Sequence, residues 1–234
     1  MSHWPRQISL MSLLLVSFLA TASFADDSMN CPGTLPNNHA TLAAGDQSTA
    51  NHLQVSRSIE PGTEFDIDVC AADVILTASP DNELRITVDI ARPSSQHNAV
   101  DYLHTLDISN RHAKLQLHLL RELRAKVTIE VPAGTPDLTL NLGRGDLTLA
   151  AARIGGKSEN INVGMGHINF EGNADAYEEL QINVGLGSLH DNRPDGQNHH
   201  FIVARSLEGT GKGSIEMNVG MGSVDLNPSQ AKPI

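Results

Sequence analysis

The sequence predicts an all-β protein, a β-solenoid with a single strand on each side of coils of about 21 residues and with Gly-x-Gly corners. Three observations predict this fold. One phrase recurs four times, the residues of each phrase alternate between apolar and polar, and aromatic residues make up only 3% of the chain. A thin interior of Val, Ile and Leu is typical of stacked coils rather than of a sandwich built around large rings.

The four copies share the template apolar–Asn–apolar–Gly–x–Gly–x–apolar. They are LNLGRGDLTL (140–149), INVGMGHINF (161–170), INVGLGSLHD (182–191) and MNVGMGSVDL (217–226). The asparagines of the first three copies follow one another at 21 residues, whereas 35 residues, one period plus an insertion of 14, separate the third from the fourth. A fixed period of about 20 residues indicates a stacked repeat.

The glycines explain how both ends of each copy can face the interior. In the second copy Val163 and Ile168 are five residues apart, an odd number, so an uninterrupted strand would point them to opposite faces. Both stay inside only if the backbone turns or bulges between them, and glycine adopts the positive φ that such a corner needs. The predicted corner glycines are Gly143, Gly145, Gly164, Gly166, Gly185, Gly187, Gly220 and Gly222.

Stacking the copies also stacks their equivalent side chains, about 4.8 Å apart. We therefore predict a column of amides that hydrogen-bond along the stack, as asparagine ladders do in cross-β assemblies. Its members are Asn141, Asn162, Asn183 and Asn218. A second column, at the corners, consists of Arg144, Met165, Leu186 and Met221. This column either forms a methionine-rich binding surface or simply covers the corner.

Four segments are predicted along the chain. Residues 1–25 carry Arg6, an apolar run and a small-residue cleavage site, which indicates a secretory signal peptide; a retained anchor is the alternative. Residues 26–52 form a loop-rich N-terminal cap, residues 53–227 the solenoid and residues 228–234 a C-terminal tail. In the first half of the solenoid, residues 64–78 repeat the strand–corner–strand pattern with Ala71 and Ala72 at the bend, and strands are predicted at 83–90, 103–109, 114–120 and 126–131.

Charge and cysteine content limit the partners and the compartment. Without the signal, which holds one basic residue and no acid, 15 basic residues (16 − 1) face 27 acidic ones, a net charge of −12. This balance argues against nucleic acid and anionic membrane surfaces as partners, and no membrane span is expected after cleavage. In an oxidising compartment the two cysteines, Cys31 and Cys70, predict one disulfide; two buried thiols are the alternative.

The sequence predicts no catalytic residues, no cofactor and no metal site. Two groups of side chains were weighed as metal ligands against the commoner interpretation of a solvated surface. Glu64, Asp66 and Asp68 share the outward face of one strand and suit a hard cation. His190, Asp191, His199 and His200 lie in the insertion and suit zinc or nickel, although their spacing is not diagnostic. The same insertion is also a candidate for contact with a partner.

At the repeats the chain resembles the bacterial "putative adhesin" β-solenoid family, relatives of the head GIN domain. The resemblance covers roughly residues 53–227 and starts from IEVPAGTPDLTLNLGRGDLTL (129–149), with its V-P-x-G turn and Gly-x-Gly corner. It implies an exported, mostly right-handed solenoid of adhesin-like character and supplies no catalytic residues. The cysteine pair and the histidine-rich insertion depart from the family pattern.

These observations lead us to expect an exported, non-enzymatic protein that binds or spaces a protein or glycan partner at the cell envelope. The expected location is the periplasm, the cell surface or the medium. A periplasmic regulatory or assembly module is an alternative that the sequence does not separate from this one. The other alternative is a carbohydrate-active β-helix enzyme that uses the scattered polar residues Arg144, Asp146, His167 and Asp225.

Overall fold

The computed structural model describes residues 35, 40–150, 155–172, 174 and 177–228. The predicted signal peptide, Cys31 and nearly all of the predicted C-terminal tail lie outside the described residues. In the described part of the chain strands predominate, and short 3₁₀ turns, among them Ala99–Tyr102 and Arg121–Leu123, lie between them. The predicted all-β class is confirmed.

Thirteen strands occur among the described residues. They are β1 (Gln47–Ser48), β2 (His52–Ser58), β3 (Glu64–Ala71), β4 (Asp73–Ser79), β5 (Glu83–Ile90), β6 (Leu103–Ser109), β7 (His112–Leu117), β8 (Ala125–Pro132), β9 (Thr135–Ala150), β10 (Gly155–Phe170), β11 (Glu179–Asp191), β12 (His199–Glu208) and β13 (Ser214–Leu226). The long strands β9, β10, β11 and β13 each contain one copy of the repeat.

The strands form one open, mixed sheet rather than a plain succession of parallel coils. Its main path runs β1-β2-β5-β8-β4-β9-β10-β13-β11-β12, and a second path runs from β9 through β3 and β7 to β6. The centre, where the repeats lie, is parallel. The ends are antiparallel, because β2, β5, β6 and β12 pair with neighbours of opposite direction.

The order of the repeats in space differs from their order in the chain. The fourth copy, in β13, pairs with the second copy on one side and with the third on the other, so the spatial order is β9-β10-β13-β11. The inserted segment explains this order. It forms β12, which runs antiparallel along the far side of β11 and brings the chain back to enter between β10 and β11.

A layer made of β3 and β4 precedes the repeats in the stack. The first half of β9 pairs with β3 and its second half pairs with β4, so the two short strands together occupy the place of one long strand. Ala72 stands at the break between them and donates its N–H to the carbonyl of Arg144 (3.1 Å). Alanine at this bend therefore takes the place of the glycine in the four copies.

The second glycine of each copy forms a line across the stack that we call the glycine seam: Gly145, Gly166, Gly222 and Gly187 in spatial order. Their φ angles lie between 136° and 154°. On either side of the seam the apolar residues, such as Leu142 and Leu147, are fully buried in the same core despite their odd spacing. A side chain has no room here, because a Cβ on Gly166 would overlap the carbonyl oxygen of Gly145 in the strand beside it.

An ion pair is among the contacts that tie the described part of the predicted N-terminal cap to the sheet. Arg57 of β2 contacts both carboxylate oxygens of Asp46 at 2.7 Å, and the Asp46 side chain is only 3% exposed. These side-chain hydrogen bonds hold the pKa of Asp46 below its ordinary value. The pair stabilises the fold above the unfolded-state pKa of the acid, and this contribution is lost as the pH falls through the lower folded-state value.

We predict that Gly166→Ala lowers the free energy of unfolding by about 3 kcal/mol or more, since it combines an unfavourable φ with an overlap that the backbone must relieve. Chemical denaturation of the variant and the wild type measures this difference. Gly62→Ala is the matched control, because Gly62 also has a positive φ of 81° but has nothing within 4 Å of an added Cβ. Equal losses in the two variants would contradict a steric role for the seam.

Candidate functional site

A row of hydrogen-bonded amides crosses the outer face of the stack. Asn183 Nδ2 donates to Asn218 Oδ1 (2.9 Å), Asn218 Nδ2 to Asn162 Oδ1 (3.0 Å), and Asn162 Nδ2 to Asn141 Oδ1 (2.9 Å). The four predicted asparagines are thus joined in the spatial order of the strands. We call this row the amide ladder.

The ladder ends on a carboxylate that the sequence analysis did not assign to it. Asn141 Nδ2 donates to Asp68 Oδ1 (2.9 Å), and from the opposite side Gln116 Nε2 donates to Asp68 Oδ2 (3.1 Å). Thr105 on β6 extends the row by donating to Gln116 Oε1 (2.9 Å). The sequence does contain a signal that Asp68 belongs to the ladder. Asp68 precedes the Ala71–Ala72 bend just as Asn141 precedes its Gly-x-Gly corner.

Every amide of the ladder donates toward Asp68. Aligned hydrogen-bonded dipoles polarise one another, and a hydrogen bond to an ionised acceptor is stronger than one between neutral groups. All four asparagines are half-buried, so an unpaired amide here would lose part of its hydration without compensation. The ladder is therefore a structural device that fixes the register of the parallel strands.

A second amide row, on the other side of the seam, has the same design. Asn192 Nδ2 donates to Asn227 Oδ1 (2.8 Å), Asn227 Nδ2 to Asn169 Oδ1 (2.6 Å), and Asn169 Nδ2 to Glu171 Oε1 (2.8 Å). This row also ends on a carboxylate. Both halves of the outer face thus hold amides whose polar atoms are largely used within the protein.

Beside the seam, histidines gather around Asp225. His190 Nδ1 lies 2.8 Å from Asp225 Oδ1, and His167 Nε2 lies 3.3 Å from Asp225 Oδ2. The other ring nitrogen of His167 lies 2.7 Å from Ser223 Oγ. The connectivity Ser223–His167–Asp225 has the order of a hydrolytic triad.

The backbone around this group is used in strand pairing. β10 lies between β9 and β13, and β13 lies between β10 and β11, so backbone N–H groups here belong to ladders on both sides. Backbone donors for an oxyanion would have to leave those ladders. Of the four residues weighed for an enzyme, His167 and Asp225 come together, whereas Arg144 donates to Met165 Sδ on the next strand (2.9 Å).

Part of the acidic group on β3 that was considered as a metal site belongs to the amide ladder. Asp68 accepts from Asn141 and Gln116, and Asp66 lies beside it on β3. Burial, followed by the nearby Asp68, raises the pKa of Asp66. An acid with a raised pKa loses its charge more readily and is a poorer ligand for a hard cation.

The histidine-rich insertion does not converge on one point. Asp191 is paired with Arg193 (2.6 Å), and His199 lies against Arg205 (2.8 Å). The rings of His190 and His200 meet edge to face, with centroids 6.2 Å apart. Within the described residues, no group of three or more His, Cys, Asp or Glu side chains is arranged to hold a metal ion.

The predicted column at the corners exposes apolar side chains on the surface. In spatial order it runs Arg144, Met165, Met221 and Leu186 over four adjacent strands, and we call it the corner ridge. Met165, Met221 and Leu186 are 38%, 47% and 53% exposed. Among the residues that the structure describes, the large exposed hydrophobic side chains are these three and the neighbouring Phe201 and Ile202 of β12.

Two further predictions concern the cysteines and the membrane. Cys70 lies half-buried at the end of β3, and because Cys31 lies outside the described residues, their disulfide stays a prediction. In the part of the chain that the structure describes, no helix has the length and apolar character needed to cross a membrane.

The comparisons with known proteins give a distant structural likeness. No family model and no curated protein match the sequence. Among solved structures, a similar chain is that of a "putative cell adhesion protein" from Clostridium sporogenes, which is 15% identical. The match covers 75% of this chain and 98% of the other, with a TM-score of 0.43. A likeness of this size leaves function to be argued from the residues themselves.

We predict that Asn162→Asp destabilises the fold by about 2 kcal/mol at neutral pH, because an ionised carboxylate would face Asn141 Oδ1 with no proton to donate. Below about pH 4 the new carboxyl group gains a proton, becomes a donor and recovers part of the loss. Urea denaturation at both pH values, with the wild type beside it, measures the effect. Asn51→Asp is the control, because the Asn51 side-chain oxygen already acts as an acceptor, from Thr49; the same loss in both variants would contradict the role of the ladder.

Proposed function

We propose that this chain is an exported, non-enzymatic β-solenoid protein, adhesin-like in character, that binds or spaces a partner at the cell envelope through its corner ridge. The signal sequence supports export, and the parallel repeat stack supports a rigid, elongated surface. The partner is a protein or a glycan. This assignment rests on the surface of the molecule rather than on a reactive centre.

The corner ridge is the observation that carries the proposal. Two methionine side chains and one leucine side chain are exposed on three adjacent strands and form a row in which neighbours are about 4.8 Å apart. Contiguous exposed apolar surface marks interaction sites, and methionine adapts its shape to a partner because its chain is flexible and polarisable. The stack below holds the row in place through the glycine seam and the amide ladder.

A second candidate, a carbohydrate-active enzyme, is favoured by one observation, the chain of contacts that joins Ser223, His167 and Asp225. In this alternative His167 would act as the general base or acid beside Asp225. Activity against polysaccharides that is lost in His167→Ala but kept in the ridge variant described next would favour it over the binding function. A periplasmic assembly module would use the same ridge and differs only in location.

We predict that the triple variant Met165→Ser, Met221→Ser and Leu186→Ser loses at least tenfold in affinity for the envelope while its melting temperature stays close to that of the wild type. The three side chains are exposed, so their truncation removes little core packing. The assay measures binding of purified, labelled protein to cells from which its gene has been deleted. Lys126→Ser, on the exposed face of β8, is the control; undiminished binding of the triple variant would exclude the ridge.

We predict that added protease cuts the protein on intact cells while a periplasmic marker survives, since a surface location gives the ridge access to partners outside. The extent of cleavage, followed by immunoblotting, is the measurement. Protection equal to that of the periplasmic marker would contradict adhesion and leave the assembly-module alternative.

A further inference from the structure

We propose that β12 is a dimerisation edge at which the chain pairs with a second copy of itself, strand β12 against strand β12 in antiparallel orientation. This inference goes beyond the proposed function and does not depend on it. It uses a different part of the surface, the last strand of the sheet, and it names the occupant of that edge.

The first observation is an unprotected sheet edge. Among the described strands, β12 pairs with β11 alone, over nine residue pairs, and its other side carries the last row of backbone groups of the sheet. Soluble proteins usually protect such an edge with lysines, prolines or very short strands. β12 is ten residues long, and its stretch from His200 to Ala204 contains no Lys, Arg, Asp, Glu or Pro.

The second observation is the high exposure of two apolar side chains on this edge strand. Phe201 and Ile202 are 77% and 81% exposed, the highest values of any large hydrophobic side chain among the described residues. Neither side chain covers the core, which on β12 is contacted by Val203 (4% exposed). Exposed apolar side chains next to unpaired backbone groups give an edge both affinity and direction for an added strand.

The third observation is that the strand is complementary to itself. In an antiparallel pair, opposed residues share one face of the sheet, so a two-fold axis through Ala204 keeps Val203 of both copies on the core side. Ile202 of each copy then lies opposite Ser206 of the other, and Ala204 lies opposite itself, whereas Phe201, with a φ of 76°, stands where the regular strand ends. No like charges face each other in this paired stretch, which favours the cross-strand contact.

Charge does not oppose this contact at the edge itself. The whole chain carries a net charge of −11, which makes random association of copies unfavourable. β12, however, contains one arginine and one glutamate, Arg205 and Glu208, and so has no net charge with its histidines neutral. The repulsion between two acidic molecules is therefore weakest where their β12 strands meet.

Pairing at β12 would join the two sheets into one. Phe201 lies opposite Gly187 on β11, the residue after Leu186, so it adds apolar surface beside the corner ridge of its own copy. The dimer places the two ridges on the same side of the joined sheet, offset along the strands by roughly 20 Å. Two other occupants of the edge are a strand from a different protein and a segment of this chain outside the described residues.

The experiment measures the molar mass of the purified full-length protein by sedimentation velocity over a range of concentrations. We expect a monomer–dimer equilibrium in the wild type and at least a tenfold weaker dimer in Ile202→Lys/Ala204→Lys, because charged side chains at alternate positions would face their own copies across the axis. Gln54→Lys/Ser56→Lys, a pair of exposed alternate positions on β2, is the control and should dimerise as the wild type does.

Two results would overturn the proposal: a monomeric wild type at every concentration, or a dimer that the lysine pair on β12 leaves unchanged. Hydrogen exchange identifies the other occupants. Protected β12 amides in a monomer would show that a segment of the same chain covers the edge, and protection only after addition of cell envelopes would show a foreign strand.

Oxidation of Ala204→Cys gives a positive test of the two-fold axis. We expect a disulfide-linked dimer from this variant and none from Gln54→Cys under the same conditions, because only residue 204 lies close to its own copy. Equal crosslinking of the two variants would contradict the proposed axis. Ridge variants that stop binding cells but still dimerise would separate this inference from the proposed function.

Discussion

The structure depends on one constraint, the parallel stacking of the repeats in register. Each residue of a repeat lies beside the equivalent residue of the next copy, about 4.8 Å away. A residue type is suitable at a given position only if it packs well against itself. Asparagine satisfies this condition because its amide both donates and accepts. At the seam glycine satisfies it because any Cβ would enter the neighbouring backbone. The repeated Asn and Gly of the four copies follow from this one requirement.

Self-complementary rows also need an end, and the ends are chemically different from the middle. Asp68 can only accept hydrogen bonds when it is ionised, so it receives donors from both sides and reverses the direction of the row. Glu171 closes the second row in the same way. The antiparallel strands around the parallel centre end the stack in a similar way. They supply backbone hydrogen-bond partners to the outermost parallel strands without adding another copy of the repeat.

Local pattern was enough to predict much of the fold. The strands at 83–90 and 103–109 have the predicted bounds, and the parity argument led to the positive φ of Gly145 and its equivalents. The order of the copies was not predictable in this way, because four nearly identical strands fit each other equally well in any order. Asp68 was not predicted as part of the ladder, because β3 has an aspartate at the position where the four copies have an asparagine. β12 was missed because its apolar residues face solvent and follow no core pattern.

The interleaved order has a consequence for how the chain reaches its native state. β11 is complete before β13 exists, yet the place between β10 and β11 belongs to β13. β11, β12 and β13 are nevertheless consecutive in the chain and adjacent in the sheet, so they can assemble as a three-stranded unit by largely local contacts. Such a unit docks onto β10 as a block, which makes β10–β13 the junction between two cooperative folding units and the natural place for the stack to open.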